Sequence, residues 1–194
     1  MFWTCCHLPS LSLEVFEPDA APRVVIDGQA QRAFVHDSDD TARHAGVRIG
    51  QALAAARACC AGLDVQRRDV AAEAMRLQTL ALRAYAFSSQ VLPCPPQDIL
   101  LEVGASLRLF GGWPAIRQGL RDGIAAEGHR LQLALAPTPQ AARLLARLRD
   151  GTAIASHETP LNRLKPTAAR VRRRRAAPVN PSRPFPQSPI TAPR

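Results

Sequence analysis

The order of hydrophobic patterns along the chain predicts an α+β fold. An apolar run at residues 2–8 fits a buried strand, and Asp69 can cap a long amphipathic helix that ends near Tyr85. Two further strands are expected next, before a second amphipathic helix from Trp113 to Gly128 and a last strand at residues 130–136. Strand, helix, strand, strand, helix, strand is the ferredoxin-like βαββαβ arrangement, in which two helices back a four-stranded antiparallel sheet. The sequence therefore predicts this core, with a small insertion after its first strand.

The predicted insertion covers about residues 11–67. Residues 23–28 and 30–35 have strand composition on both sides of the pair Asp27-Gly28, which favours a tight hairpin turn. The alanine-rich segment 51–60 then predicts a helix. We expect the long helix of the core to bury a stripe at three- and four-residue steps, formed by Val70, Ala74, Leu77, Leu80 or Ala81, and Ala84.

The middle of the chain combines a predicted strand with two carboxylates. Residues 87–92 favour a strand, and the prolines of segment 93–96 predict a stiff turn at a sheet edge, because proline cannot donate to a ladder. Asp98 and Glu102 follow on an apolar run, an even number of residues apart, so both would leave the same face of a strand. Carboxylates so placed can hold Mg²⁺ for phosphoryl transfer. From spacing alone they could also be edge or surface acids, and both interpretations stay open.

The charge of the chain is concentrated at one end. The 194 residues carry a formal net charge of +9, yet residues 1–159 contain as many acidic as basic side chains. Residues 160–194 are rich in proline, lack acids and contain the run Arg172, Arg173, Arg174 and Arg175. Such a segment has too little apolar surface to offset its chain entropy, so we expect a disordered basic tail. The tail could contact nucleic acid weakly, or it could result from a reading-frame slip in a GC-rich gene.

Other features narrow the class of protein. No apolar run approaches the roughly 18 residues of a membrane span, and the first residues lack the basic region of a signal peptide. We therefore expect a cytoplasmic protein without a membrane partner. The five cysteines form no Cys-x-x-Cys motif and the five histidines lack metal-ligand spacing, so a zinc site is not expected.

The segment from Gln97 to Gly112 resembles the second catalytic motif of Y-family translesion DNA polymerases, which reads roughly Ser-x-Asp-Glu-Ala-Tyr-Leu-Asp-Val. Residues 101–103, Leu-Glu-Val, match the Leu-Asp-Val of that motif. The match places Asp98 on the catalytic glutamate and Gln97 on the catalytic aspartate. The resemblance thus implies that one metal ligand is missing.

The first strand resembles the other catalytic motif of the family, Asp-Met-Asp-Cys-Phe-Phe. Glu17 matches the glutamate that closes the motif, and counting back from it places the two acids on Leu8 and Ser10. Leucine offers no oxygen and serine no charge to a divalent cation. Among the positions that bind metal in the family, only Asp98 retains an acid.

Two further segments resemble the nucleotide-binding parts of the family. Residues 41–50 are similar to the motif Tyr-x-Ala-Arg-x-x-Gly-Val-x-x-Gly-Met of the fingers, and Arg43 matches the arginine that touches the triphosphate. Asp39 stands about where the family has its tyrosine, and an acid there would repel a triphosphate. Residues 136–146 resemble the Ala-Pro-Asn-Lys-x-x-Ala-Lys segment, with Arg143 on the lysine that pairs with the triphosphate. The resemblance implies a vestigial nucleotide-binding pair.

A narrower resemblance is to the ImuB type, the Y-family-like proteins of bacterial mutagenesis cassettes, and it covers about residues 3–158. It implies a UmuC-like palm and fingers over residues 1–159, with the fingers at about 11–67. It also implies a non-catalytic adaptor in DNA repair and damage-induced SOS mutagenesis, with no cofactor. Its partners would be DNA, an error-prone replicative-type polymerase, a recombinase-like accessory protein and the sliding clamp. The thumb, little finger and partner-binding regions would follow residue 160, so the chain is expected to be C-terminally truncated.

The alternative is an active DNA-directed nucleotidyltransferase. It would use Asp98 and Glu102 with an acid from elsewhere, such as Asp27, and would require Mg²⁺. This hypothesis requires the three carboxylates to lie within about 5 Å of one another, because paired metals sit roughly 3.5–4 Å apart. A fragment that retains neither activity nor partner is a third interpretation, which the sequence does not separate from the adaptor.

Overall fold

The computed structural model describes residues 1–29 and 32–154. Its strands are β1 (Trp3–His7), β2 (Arg23–Asp27), β3 (Phe34–Ser38), β4 (Asp64–Arg67), β5 (Val91–Cys94), β6 (Asp98–Glu102), β7 (Gln132–Ala136) and β8 (Thr152–Ala153). Its helices are α1 (Leu11–Glu14), α2 (Asp40–His44), α3 (Leu53–Cys59), α4 (Val70–Ala84), α5 (Ser106–Leu109), α6 (Trp113–Ala125) and α7 (Pro139–Leu148). The expected tail, its Arg172–Arg175 run and the boundary at residue 160 lie outside the described residues.

The larger sheet has five strands in the order β5-β6-β1-β7-β8. The first four pair antiparallel, with β1 between β6 and β7, and β8 is added parallel to β7. Strand order and direction match the predicted βαββαβ core. In sequence, α4 lies between β1 and β5, and α6 lies between β6 and β7. β8 was not predicted, because two residues are too short for a hydrophobic pattern to develop.

Helices cover both faces of this sheet. On one face, the core includes Leu77 and Leu80 of α4, Ile116 and Leu120 of α6, and strand residues such as Ile99. On the other face, α7 packs through small residues against a second cluster, which consists of Cys5, Leu100, Ala134, Ala136, Ala142 and Ala146. Alanines at the contact let the axis of α7 lie close to the strands. The charged side chains of α7 are therefore brought within reach of the sheet.

The predicted start of α4 is confirmed, since the carboxylate of Asp69 accepts a hydrogen bond from the backbone N–H of Ala72 at 2.9 Å. The predicted stripe is partly wrong. Val70 is 60% exposed and Ala74 is exposed as well, whereas Glu73 is buried. Two hydrogen bonds from Arg68, both 2.8 Å, compensate the buried carboxylate. Because an ion pair replaces an apolar side chain here, hydrophobic periodicity could not find this position.

The insertion forms a separate sheet with the order β3-β2-β4. The predicted hairpin has the wrong register, because β3 begins at Phe34, which pairs with Asp27, instead of at residue 30. A longer connection therefore replaces the two-residue turn, and β3 extends into the polar pair Asp37 and Ser38. Asp37 is tolerated there because Ser12 donates a hydrogen bond to it at 3.0 Å. β4, parallel to β2, was not predicted.

The remaining strand boundaries differ by a few residues. β5 begins at Val91 instead of residue 87 and continues through Pro93, which pairs with Ile99. The strand tolerates this proline because β5 is at the edge of the sheet, where the N–H that proline lacks is not needed for pairing. Within the residues that the structure describes, no helix is long and apolar enough to cross a membrane.

Candidate functional site

The positions that match the catalytic acids meet at one end of the larger sheet. The backbone N–H of Leu8 donates to the carbonyl of Gln97 at 2.9 Å, so the end of β1 lies beside the start of β6. Leu8 is fully buried in the core, and its side chain packs with the apolar residues beneath α4 and α6. Ser10 and Gln97 are half-buried. Asp98, the first residue of β6, is thus the one acid among these four positions.

Asp98 is fully buried and both of its oxygens are engaged. Oδ1 lies 2.8 Å from Nδ1 of His7, its neighbour across the strand pair. Oδ2 accepts hydrogen bonds from Arg143, through Nε at 3.0 Å and Nη2 at 2.9 Å, and from Nη2 of Arg147 at 2.6 Å. Burial raises the pKa of Asp98, but the hydrogen bonds from His7, Arg147 and Arg143 outweigh it and leave the pKa below its ordinary value. The carboxylate is therefore ionised and paired.

The local structure of α7 explains how two arginines reach one carboxylate. Thr138 caps the helix by accepting a hydrogen bond from the N–H of Ala141 at 3.3 Å, and Pro139 occupies its first turn. Arg143 and Arg147 are four residues apart, so they project from the same face. The sequence singled out Arg143 but missed Arg147 and His7. The spacing of the two arginines was a usable signal, but their common target was not visible in it.

Glu102 lies at the far end of the same strand. Its Oε1 accepts hydrogen bonds from the backbone N–H groups of Phe2 at 3.1 Å and Gly104 at 3.0 Å. With a rise of about 3.3 Å per residue, the first and last residues of β6 are about 13 Å apart. The carboxylate of Glu102 therefore fixes backbone at the sheet end and does not meet Asp98.

The third acid of the nucleotidyltransferase hypothesis is also elsewhere. Asp27 belongs to β2 in the smaller sheet, where it accepts from the N–H of Gly28 at 2.6 Å and from Arg68 at 3.3 Å. Among residues 1–29 and 32–154, no group of three or more His, Cys, Asp and Glu side chains could hold a metal ion. The arrangement around Asp98 is one of donors, and it does not fit Mg²⁺, which requires oxygen ligands.

Arg43 lies on α2, between two acids of the insertion. Its Nη2 is 2.7 Å from Oδ1 of Asp40 and its Nη1 is 3.8 Å from Oδ1 of Asp37. Asp39, which was expected to face the triphosphate, instead caps α2 and accepts hydrogen bonds from the N–H groups of Ala42 at 2.7 Å and Arg23 at 2.8 Å. The charge of Arg43 is thus balanced inside the insertion.

Ion pairs connect the insertion to the core. Arg130, between α6 and β7, donates to Asp40 at 2.5 Å, and with Arg43 it lowers the pKa of Asp40 to about 2. Next to it, Nδ1 of the buried His129 lies 2.8 Å from Glu14 of α1. A cavity of about 410 Å³ opens at this junction. Its charged lining is mainly acidic, with Glu14, Glu17, Asp19, Asp39 and Glu127 against Arg23 and Arg76, which disfavours a polyanion there.

The impB/mucB/samB (IMS) family matches residues 13–147 of the chain. Among solved structures, the post-insertion binary complex of Dbh DNA polymerase is similar with a TM-score of 0.66 at 14% identity, over 80% of this chain and 48% of that chain. DinB from Sulfolobus solfataricus has a TM-score of 0.63 at 14% identity, over 79% of this chain and 48% of that chain. The chain thus spans about half the length of the structures it matches.

A search among curated proteins found no match. The structural likeness is at low identity and establishes the fold, and the family match covers most of the chain, from α1 to the last turn of α7. Leu8 and Ser10 precede the matched region, whereas Arg43, Gln97, Asp98 and Arg143 fall within it. The chain therefore belongs to the impB/mucB/samB family and carries its UmuC-like, Y-family polymerase domain.

Proposed function

We propose that this protein is a non-catalytic, polymerase-like adaptor in DNA repair and translesion synthesis. The observation that carries the proposal is the environment of Asp98. The one acid left among the metal-binding positions is bound by Arg143, Arg147 and His7. Two-metal catalysis of nucleotidyl transfer needs several carboxylates that face a divalent ion. Here one carboxylate faces two permanent cations.

The proposed partners follow from the resemblance to the ImuB type. They are DNA, an error-prone replicative-type polymerase, a recombinase-like accessory protein and the sliding clamp, in a damage-induced, SOS-type response in the cytoplasm. The Dbh structures are polymerase complexes, which supports DNA as one partner. Because the described core and insertion carry little net charge, contact with DNA would depend on local clusters of arginine and on the run Arg172–Arg175.

An active nucleotidyltransferase remains the second candidate, since the fold is that of polymerases. Two of its proposed acids, Asp98 and Glu102, lie at opposite ends of β6. The third, Asp27, lies in the smaller sheet. A shared metal site would need at least two of them to move. The geometry therefore favours the adaptor.

Primer extension tests the choice. We expect the purified full chain to leave a primed DNA template unextended in Mg²⁺ or Mn²⁺, while Dbh polymerase extends it under the same conditions. Extension by this chain that is lost in the variant Asp98→Ala would refute the adaptor proposal. Extension that persists in Asp98→Ala would instead indicate a contaminating polymerase, because the residual acid would then be dispensable.

A further inference from the structure

Resting on the proposed function, we propose that the guanidinium groups of Arg143 and Arg147 keep divalent cations from Asp98, so that restoring the lost acids would not restore a metal site. Arg147 would then be a positioning and blocking residue of this site. The blocking groups are the chain's own cations, and their effect is separate from the loss of acids at Leu8, Ser10 and Gln97.

Hydrogen-bond donors contact both oxygens of Asp98. An ionised carboxylate offers about four lone-pair sites. Four donor contacts reach Asp98, one from His7 on Oδ1 and three from the two arginines on Oδ2. Each contact lies at hydrogen-bond distance, from 2.6 to 3.0 Å. Oδ2 therefore has no free lone pair, so a divalent cation could bind through it only after displacing an arginine, and a cation at Oδ1 would lie beside His7.

The positive charges around Asp98 outnumber its negative charge. Arginine does not lose its proton in proteins, so two positive charges face one negative charge at any ordinary pH. A metal ion at Asp98 would lie within a few ångströms of both guanidinium groups and would be repelled by them. Added carboxylates at neighbouring positions would first pair with the surplus positive charge, because the guanidinium groups are already in place.

The packing of α7 against the sheet fixes the position of both arginines. Ala142 and Ala146 are fully buried against the sheet, so the backbone that carries both arginines is fixed by packing. The two side chains are 36% and 44% exposed, and their ends could turn to solvent. Turning away would leave the fully buried Asp98 with His7 alone, which the burial of a charge disfavours. The packing of α7 and the buried charge of Asp98 therefore both keep the arginines at Asp98.

Manganese binding to the 194-residue chain tests the inference. Ser10→Asp and Gln97→Asp together restore two acids at half-buried positions and leave the core residue Leu8 intact. We expect this two-acid variant to bind Mn²⁺ within about twofold of the wild type. Adding Arg143→Gln and Arg147→Gln should tighten binding by about tenfold or more, because two positive charges that repel the metal ion are removed. The readout is the electron paramagnetic resonance signal of free Mn²⁺, with competition by Mg²⁺.

The fold of each variant is checked by circular dichroism. If the four-substitution variant does not fold, the variant S10D/Q97D/R147Q keeps one guanidinium on Asp98 and should bind Mn²⁺ with intermediate affinity. Tight binding by the two-acid variant would overturn the inference, and so would folded arginine variants that bind no better than it does. Neither result depends on primer extension by the wild type, which tests the proposed function separately.

Discussion

Asp98 is fully buried, and its charge is balanced by guanidinium groups that are partly open to solvent. The two sides of this contact are therefore unequal. Arg143 and Arg147 can be hydrated if Asp98 is removed, whereas Asp98 would lose the donors that compensate its burial if the arginines were removed. The carboxylate of Asp98 would thus serve to join β6 to α7.

This inequality predicts an order of stabilities. Arg143→Gln with Arg147→Gln should lower the free energy of unfolding by about 3 kcal/mol, because a buried carboxylate loses its partners. Asp98→Asn should cost only about 1–2 kcal/mol, because the remaining cations become solvated. Urea denaturation measures both values, and Arg149→Gln, on the exposed C-terminal cap of α7, serves as the control. An Asp98→Asn variant less stable than the double arginine variant would contradict this explanation.

The pH dependence of stability should carry the same signature. The pKa of Asp98 is lower in the folded protein than its ordinary value, so its contribution is complete above about pH 4–5. The contribution is lost as the pH falls through the folded pKa. We expect the stability difference between wild type and Asp98→Asn to shrink between pH 5 and acid conditions, measured by urea denaturation at each pH. A difference that is constant with pH would mean that Asp98 has the same pKa in the folded and unfolded states.

At the scale of the element, close packing sets which glycines can be replaced. A Cβ at Gly119 of α6 would lie 2.5 Å from the ring of Phe87, which itself packs against Phe110 with ring centroids 5.2 Å apart. A Cβ at Gly123, one turn further along the same helix, would meet no atom within 4 Å. Close packing therefore requires glycine at position 119 but not at position 123. The sequence pattern of α6 does not distinguish the two positions.

Alanine at the two positions should act in opposite directions. Gly119→Ala should destabilise the protein by about 1–3 kcal/mol, because overpacking against Phe87 exceeds the gain in helix propensity. Gly123→Ala should stabilise it by about 0.5–1 kcal/mol, because only the propensity changes. Thermal and urea unfolding measure both. Equal stabilisation by the two substitutions would show that Phe87 moves aside at little cost.

At the scale of the whole molecule, ion pairs reinforce the junction between the insertion and the core. Arg68, which directly follows β4, contacts Glu73 of α4 at 2.8 Å and Asp27 of β2 at 3.3 Å. Arg130 and Asp40 form a second connection on the other side. Each sheet has its own apolar cluster, but α1 of the insertion packs into the cluster of the core, so these polar contacts act together with an apolar one.

Breaking the buried contact should loosen the insertion selectively. Glu73→Gln should cost about 1–3 kcal/mol, because Arg68 loses a charged partner, and should speed hydrogen exchange in β2 and β4 more than in β1 and β6. Glu127→Gln, which breaks the exposed pair with Arg83, should cost less than about 1 kcal/mol. Mass-spectrometric hydrogen exchange distinguishes the segments, and a uniform increase over both sheets would contradict the proposed role of Glu73.

Much of the fold could be predicted because it depends on local patterns. The alternation of strand and helix signals, the cap at Asp69 and the proline-marked edge each involve residues close in sequence. These patterns determined the βαββαβ order and the resemblance of the β6 segment to a catalytic motif. They failed at β3, where Asp37 occupies a buried strand position through a side-chain hydrogen bond that no periodicity reveals.

The sequence by itself predicted, through the resemblance, that Leu8, Ser10 and Gln97 stand where metal-binding acids would be and that Asp98 remains. Only the tertiary structure decided what Asp98 does, because its partners are distant in the chain. Arg143, Arg147 and His7 stand 45, 49 and 91 residues away from it. The folded sheet places β1 beside β6, and the alanine contacts of α7 bring its arginines down onto the same carboxylate. A hydrogen-bonded charge cluster of this kind depends on three-dimensional distance, which no local pattern in the sequence contains.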